Sequence, residues 1–179
     1  MNFKSIARSL SLVALCATAA VIAGCATASK PEAMVPTTVI AGQHAKTTSV
    51  LVAGGSETSA MGKSQISNEA FQQAIVAGIE KNKTFASTIK GAGGDYQLAV
   101  TVVAMDQPSF GFSFTVTMEA AWSLKKADGT VVLQETIKSE GTAGATDAFA
   151  GVERLRMANE AAARNNIAAG LTKIGKLSF

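Results

Sequence analysis

Residues 110–125, FGFSFTVTMEAAWSLK, decide the fold. Phe110, Phe112, Phe114, Val116, Met118, Ala120, Trp122 and Leu124 fall at every second position, and Gly111, Ser113, Thr115, Thr117 and Glu119 fill the positions between. A strict period of two places the first set on one face of a strand and the second on the other, because successive side chains of extended chain point to opposite sides. The stretch therefore predicts a long strand with one buried face.

The flanks extend the pattern. Upstream, residues 96–105 alternate in the same way, with Tyr96, Leu98, Val100 and Val102 on one face. Downstream, Asp128-Gly129 is a hairpin turn signal, and residues 130–139 carry Val131, Leu133 and Ile137 on one face. Glu135 shares that face and is expected at an edge or opposite a basic residue. Further upstream, residues 48–54 read as a short, largely buried strand. A Gly/Ser-rich loop, 54–65, follows it. Residues 68–81 show helical spacing of Phe71, Ala74, Ile75, Gly78 and Ile79, with Ser67 or Asn68 as cap and Glu69 in the first turn. Gly78 on that stripe is expected to let the helix approach the sheet. Phe85, Ala86 and Ile89 read as a partly buried connection, and 91–94 as a turn. A last helix is expected over 149–176, with Val152, Leu155, Ala158, Ala162, Ile167, Leu171 and Ile174 as its apolar stripe and an Ala-rich middle suited to tight packing.

The order strand, helix, three strands, helix predicts an α+β two-layer sandwich: a four-stranded, mostly antiparallel sheet with two helices on one face. Residues 47–179 form this single domain.

The chain begins differently. Lys4 and Arg8 precede an apolar run from Leu10 to Ile22, and no acidic residue occurs before Glu32. A basic start, a short apolar run and a small-residue site make a secretory signal. The run falls short of the roughly 20 apolar residues that a membrane-spanning helix needs. It ends in Ile22-Ala23-Gly24-Cys25, which resembles the lipobox of bacterial lipoproteins; Ile22 stands where that family usually has Leu. The resemblance implies removal of residues 1–24, a diacylglycerol on the Cys25 thiol and a further acyl chain such as palmitate on its new amino group. Ala26, which is not Asp, implies sorting to the periplasmic face of the outer membrane in preference to the inner membrane. Residues 25–46, with Pro31 and Pro36, then read as lipidated cysteine plus flexible tether. The architecture behind the lipobox resembles that of small periplasm-facing lipoproteins that assist envelope transport or assembly.

Composition narrows the function. The whole chain has 16 Lys+Arg against 13 Asp+Glu, a net +3. The expected signal holds two of the bases and none of the acids, so the rest carries 14 against 13. That balance predicts no nucleic-acid partner. Of the two cysteines, Cys16 lies in the expected signal and Cys25 is taken by lipid, which leaves no disulfide and no Cys-based metal site. His44 is the sole histidine, which excludes a multi-His metal site, and it lies in or near the expected tether, which speaks against a His-centred triad. Gly62-Lys63-Ser64 stands before a helix as in a phosphate-binding loop, but that motif needs Gly at the position of Glu57. The carboxylates Asp95, Asp106, Asp128 and Asp147 fall near turns. No catalytic residue, metal or cofactor is expected, and the protein reads as a non-enzyme.

Two contact regions are expected. Phe110 and Phe112 read most simply as core, yet at roughly 3.3 Å per residue the 110–125 strand runs about 50 Å, so they could project past the helices and meet a partner or lipid. The opposite sheet face, with Ser113, Thr115 and Thr117 beside Ala99, Thr101 and Val103, is either solvated or pairs with another sheet or subunit. The function expected is that of a membrane-anchored lipoprotein binding or supporting another envelope component. The alternative is a lipoprotein that holds a lipid or other apolar ligand between helices and sheet, in a pocket lined by Phe112, Phe114 and Ile75.

Overall fold

A computed structural model describes residues 25–37 and 42–178. The expected signal, 1–24, lies outside the described residues. The elements in chain order are α1 (Pro31–Met34), β1 (His44–Ala53), α2 (Asn68–Asn82), β2 (Phe85–Ile89), β3 (Tyr96–Asp106), β4 (Phe114–Lys126), β5 (Val131–Ala143) and α3 (Gly151–Gly175).

The expected four-stranded, mostly antiparallel sheet with two helices is corrected. The sheet has five strands in the order β2-β1-β3-β4-β5, and the described residues form three helices. β1 runs parallel to both β2 and β3, while β3–β4 and β4–β5 are antiparallel, so the sheet is mixed. The architecture is still α+β. The extra strand is the segment that sequence assigns to a connection. β2 buries only Phe85 fully, so it lacks the alternation that reveals a strand. What makes it one is parallel pairing with β1, Thr48 opposite Thr88 and Ser49 opposite Ile89, and that pairing is non-local.

The alternating strands are as read. Tyr96, Leu98, Val100 and Val102 are buried, as are Phe114, Val116, Met118, Ala120, Trp122 and Leu124. Leu133 and Ile137 are buried on β5, while Val131 is exposed. β4, however, begins at Phe114 rather than Phe110. A register shift between Val102 and Ala104 leaves Val103 as an extra residue facing outward, the geometry of a β-bulge.

α2 is capped by Ser67, whose Oγ accepts from the Ala70 N–H at 3.1 Å. Its stripe Phe71, Ala74, Ile75, Gly78 and Ile79 is buried. Gly78 faces α3 and the N-terminal segment rather than the sheet: a Cβ there would lie 3.2 Å from Leu171 Cδ1 and 3.4 Å from Pro36 Cδ. α3 lies closest to the sheet at two points. A Cβ on Gly170 would stand 2.6 Å from the Trp122 ring, and one on Gly141 of β5 would stand 2.1 Å from the backbone nitrogen of Ala162. Glycine and alanine at these points bring helix backbone onto strand backbone and ring, as the Ala-rich middle of the helix suggests.

The stretch 25–46 is in part structured, against its reading as a tether. Met34 is fully buried. The Lys30 backbone N–H donates to Glu160 Oε1 at 2.8 Å, and Arg164 Nη1 donates to the Ala33 carbonyl at 2.7 Å. Pro31 and Pro36 suggested loose chain, but Pro31 sits at the first turn of α1, where proline is tolerated, and Pro36 is buried. His44, placed by sequence in or near the tether, is the first residue of β1; its ring meets the Ile174 carbonyl oxygen at 2.9 Å through Nε2.

Candidate functional site

All strand ends sort into two poles. β1 and β3 end where β4 begins, because they are parallel to each other and β3 is antiparallel to β4. β5 ends there too, with Phe114 opposite Ala143. The loop 54–67, the hairpin 107–113 and the loop 144–150 therefore share one pole. Side chains tie them together. Lys63 Nζ donates to the Gln107 carbonyl at 3.4 Å and to Ser109 Oγ at 3.3 Å. Arg154 Nη1 donates to the Phe112 carbonyl at 2.6 Å, and its guanidinium carbon lies 5.3 Å from the centre of the Phe114 ring, a cation–π geometry. Cys25 is exposed at the same pole, because the next residue, Ala26, donates its N–H to the Ala60 carbonyl at 3.3 Å.

Phe110 and Phe112 stand apart from the Phe114 with which they share a periodicity. Each is 88% exposed, against 7% for Phe114. The reason is local backbone: Gly111 has φ of +144°, which breaks the extended run before the strand begins. Met61 at 98% and Phe149 at 97% exposure lie on the neighbouring loops. Sequence reading missed both: Met61 stands alone in a polar, Gly/Ser-rich loop, and Phe149 looks like the first residue of α3, which in fact starts at Gly151.

Thr115 and Thr117 lie on the other candidate surface, the sheet face without helices. Across it Leu51 pairs with Ala99, Ala99 with Ser123, and Ser123 with Gln134. The next row is Ala53, Thr101, Ala121 and Thr136. Leu51 is 50% and Val103 59% exposed. Thr115 Oγ1 is hydrogen-bonded to Thr142 Oγ1 at 2.9 Å, and Glu119 pairs with Lys138 at 3.6 Å. The two rows from Leu51 to Gln134 and from Ala53 to Thr136 carry no charge, and the Glu119–Lys138 pair borders them on the next row. Structure thus separates the four predicted contact residues: Phe110 and Phe112 sit at the pole, Thr115 and Thr117 on the sheet face.

The polar clusters are structural in character. Asn159, Gln107 and Ser64 interlock, with Gln107 Nε2 donating to Asn159 Oδ1 at 2.9 Å and to the Ser64 carbonyl at 2.8 Å. Arg156 lies between Glu153 and Glu160. Its hydrogen bond holds the Glu153 carboxyl below the usual glutamate range, and the same bond, with Glu160 beside it, raises the guanidinium. Hydrogen bonds from Thr47 lower Asp95, and bonds from Thr130 lower Asp128. Glu135 pairs with Lys173 of α3, the basic partner its position called for. Ser64, the hydroxyl of the loop motif at 62–64, donates to the Thr27 carbonyl at 2.7 Å and so fastens the N-terminal segment. Among the described residues no group of three or more His, Cys, Asp or Glu could hold a metal ion, and no helix is long and apolar enough to cross a membrane.

Two grooves flank β2. One, of about 610 Å³, is lined by His44, Glu80, Lys83, Phe85 and Thr88. The other, of about 540 Å³, lies between α2 and β2 and is lined by Val50, Gln72, Val76, Glu80, Ile89 and Lys90. Neither is lined by Phe112, Phe114 or Ile75. Phe114 and Ile75 are buried in the core while Phe112 is at the surface, so the structure does not bring these three together as a pocket.

The fold defines a class: a small α+β domain with a five-stranded mixed sheet and its helices on one side. No family model and no curated protein matches the chain. Solved structures do. A DUF330-family protein from Xanthomonas campestris is 16% identical with a TM-score of 0.52, over 84% of this chain and 90% of that one. A PelC dodecamer from Paraburkholderia phytofirmans is 15% identical with a TM-score of 0.50, over 80% of this chain and 95% of that one. A candidate lipoprotein from Caulobacter crescentus CB15 is 14% identical with a TM-score of 0.49, over 72% and 87%. The likeness to these chains is one of fold.

Proposed function

We propose that this chain is a non-catalytic bacterial lipoprotein, anchored through Cys25 to the periplasmic face of the outer membrane, whose open sheet face binds another envelope component. The observation that carries the reading is a stretch of that face that no helix covers and no charge occupies, the rows Leu51–Ala99–Ser123 and Ala53–Thr101–Ala121, bordered by the Glu119–Lys138 pair. A helix layer shields the other face of the same strands. Small side chains on these two rows let a partner approach the backbone closely, and the absence of charge along them lowers the cost of drying the contact. The lipobox supports the anchor.

The anchor is tested by Cys25→Ser, which should abolish acyl labelling and leave an unprocessed or mislocalised product; unchanged membrane association overturns it. The face is tested by placing a photo-crosslinking residue at Thr101 or Ala121 in living cells, with Asp128 at the far hairpin as control. A discrete adduct from the two face positions supports the reading, and loss of the adduct from position 121 on Thr101→Arg localises the contact. No adduct from either position overturns it.

An apolar ligand held between helices and sheet finds less support. Trp122, Met118, Phe71 and Ile167 are fully buried there, and the groove beside α2 is rimmed by Glu69, Gln72, Gln73, Glu80 and Lys90.

A further inference from the structure

The four most exposed large apolar side chains among the described residues are Met61, Phe149, Phe110 and Phe112. They come from three different loops, 54–67, 107–113 and 144–150, that strand direction brings to one pole. Cys25 is at that pole as well, and only one peptide unit separates it from a backbone hydrogen bond to the domain. The segment behind it is fastened further by Ser29 N–H to the Gln65 carbonyl at 3.2 Å and by Lys30 N–H to Glu160. We propose that this pole, through Met61, Phe110, Phe112 and Phe149, dips into the lipid leaflet that holds the Cys25 acyl chains.

The proposal rests on the lipid anchor at Cys25 and then adds an orientation. With Ala26 pinned to the loop at Ala60, acyl chains on Cys25 leave no free length of chain by which the domain could stand off the bilayer. The pole must lie at the headgroup level. Side chains that project there enter the boundary of headgroups and acyl chains, where apolar and aromatic groups gain by leaving water. The opposite pole has a different chemistry. Lys46, Asp95, Lys126 and Asp128 line one depression there, and Lys125 beside them is exposed. Around the apolar pole the formal charges nearly balance, Lys63 and Arg154 against Glu57, Asp106 and Asp147. Attraction to anionic headgroups is therefore not the driving term, and the contact should persist at high salt, where screened electrostatic attachment weakens.

The orientation also fits the proposed sheet contact. With the pole on the membrane, the strands rise away from it, and the open face is presented sideways to the periplasm.

The test uses the acylated full-length product in vesicles of phosphatidylethanolamine and phosphatidylglycerol. An environment-sensitive fluorophore is attached to a cysteine introduced at Met61, Phe112 or Phe149, and at Asp128 as control. All four sites are exposed, so labelling should leave the fold intact, checked by circular dichroism. Labels at 61, 112 and 149 should be quenched several-fold more by nitroxide-bearing lipid than by aqueous iodide, in high and low salt alike, and the label at 128 should show the reverse. Labels on an acylated protein that are all open to iodide overturn the orientation and leave the anchor standing. Labels shielded from both quenchers point to a protein occupant, a second copy included, and likewise overturn it. A purified protein whose mass shows no acyl chain overturns the anchor and the orientation together.

Discussion

The two faces of the sheet are built from the same strands, one residue out of step, and they behave as different materials. On the helix side, β4 presents Phe114, Val116, Met118, Ala120, Trp122 and Leu124, all buried. On the other side it presents Thr115, Thr117, Glu119, Ala121 and Ser123, half-buried or exposed. The first face is an interlocked solid. Trp122 lies under Gly170, and its indole N–H donates to Asn166 Oδ1 at 2.9 Å; Asn166 in turn donates to the Ile137 carbonyl at 2.9 Å. The second face has few such ties. What differs is the number of neighbours that must move when one side chain changes, and this separates residues that hold the fold from residues free to serve a partner.

Substitutions can break or sharpen that contrast. Trp122→Ala should have the largest effect, a loss of about 3–5 kcal/mol from the cavity left in the core, read as a lowered denaturant midpoint at unchanged slope. Phe114→Ala should approach it, whereas Phe112→Ala, two positions away and exposed, should stay within about 0.5 kcal/mol of the parent; equal losses at both would show that the hairpin is packed. Asn166→Leu should cost about 1–3 kcal/mol, because it strands the indole N–H and the Ile137 carbonyl in the core; the same denaturation series checks it. Ala121→Arg, on the open face, should leave the thermal midpoint nearly unchanged and abolish the envelope crosslink.

The smallest effect is one of pH. The Glu153 carboxyl is held below its ordinary range by Arg156, so the folded state binds its proton less readily than the unfolded chain does. Its contribution is complete above the ordinary glutamate range and is lost as pH falls through the lowered folded value. Glu153→Gln should remove that part of the acid dependence of stability, a modest change because the side chain is 39% exposed and water screens it. An unchanged acid limb in the variant would show that the ion pair adds nothing.

Much of this was legible in residue order. Alternation identifies β3, β4 and β5 and the faces they bury, because a strand packed on one side only must repeat every second residue. Helical spacing and Ser67 locate α2. Other features leave no such trace. β2 is stabilised by a neighbour remote in sequence, so its own five residues carry no pattern. The segment 25–36 looks like a tether by composition, and only its bonds to Glu160, Arg164 and Ser64 reveal it as part of the domain. The Phe110–Phe112–Phe114 row keeps a strand's period past the strand's end, since Gly111 turns the backbone where the letters still alternate. Met61 and Phe149 were invisible as a pair because nothing in sequence says that residues so far apart share a pole.

By itself, then, the order of residues determined which side chains of the long strands are buried, where the main helices lie and which cysteine resembles a lipid acceptor. These properties depend on near neighbours, on the pitch of helix and strand and on short-range motif spacing. The tertiary structure alone decided the strand order, the docking of residues 25–36 and the gathering of Cys25, Met61, Phe110, Phe112 and Phe149 at one end. Those depend on hydrogen bonds and strand directions between segments separated by tens of residues, which local periodicity does not encode.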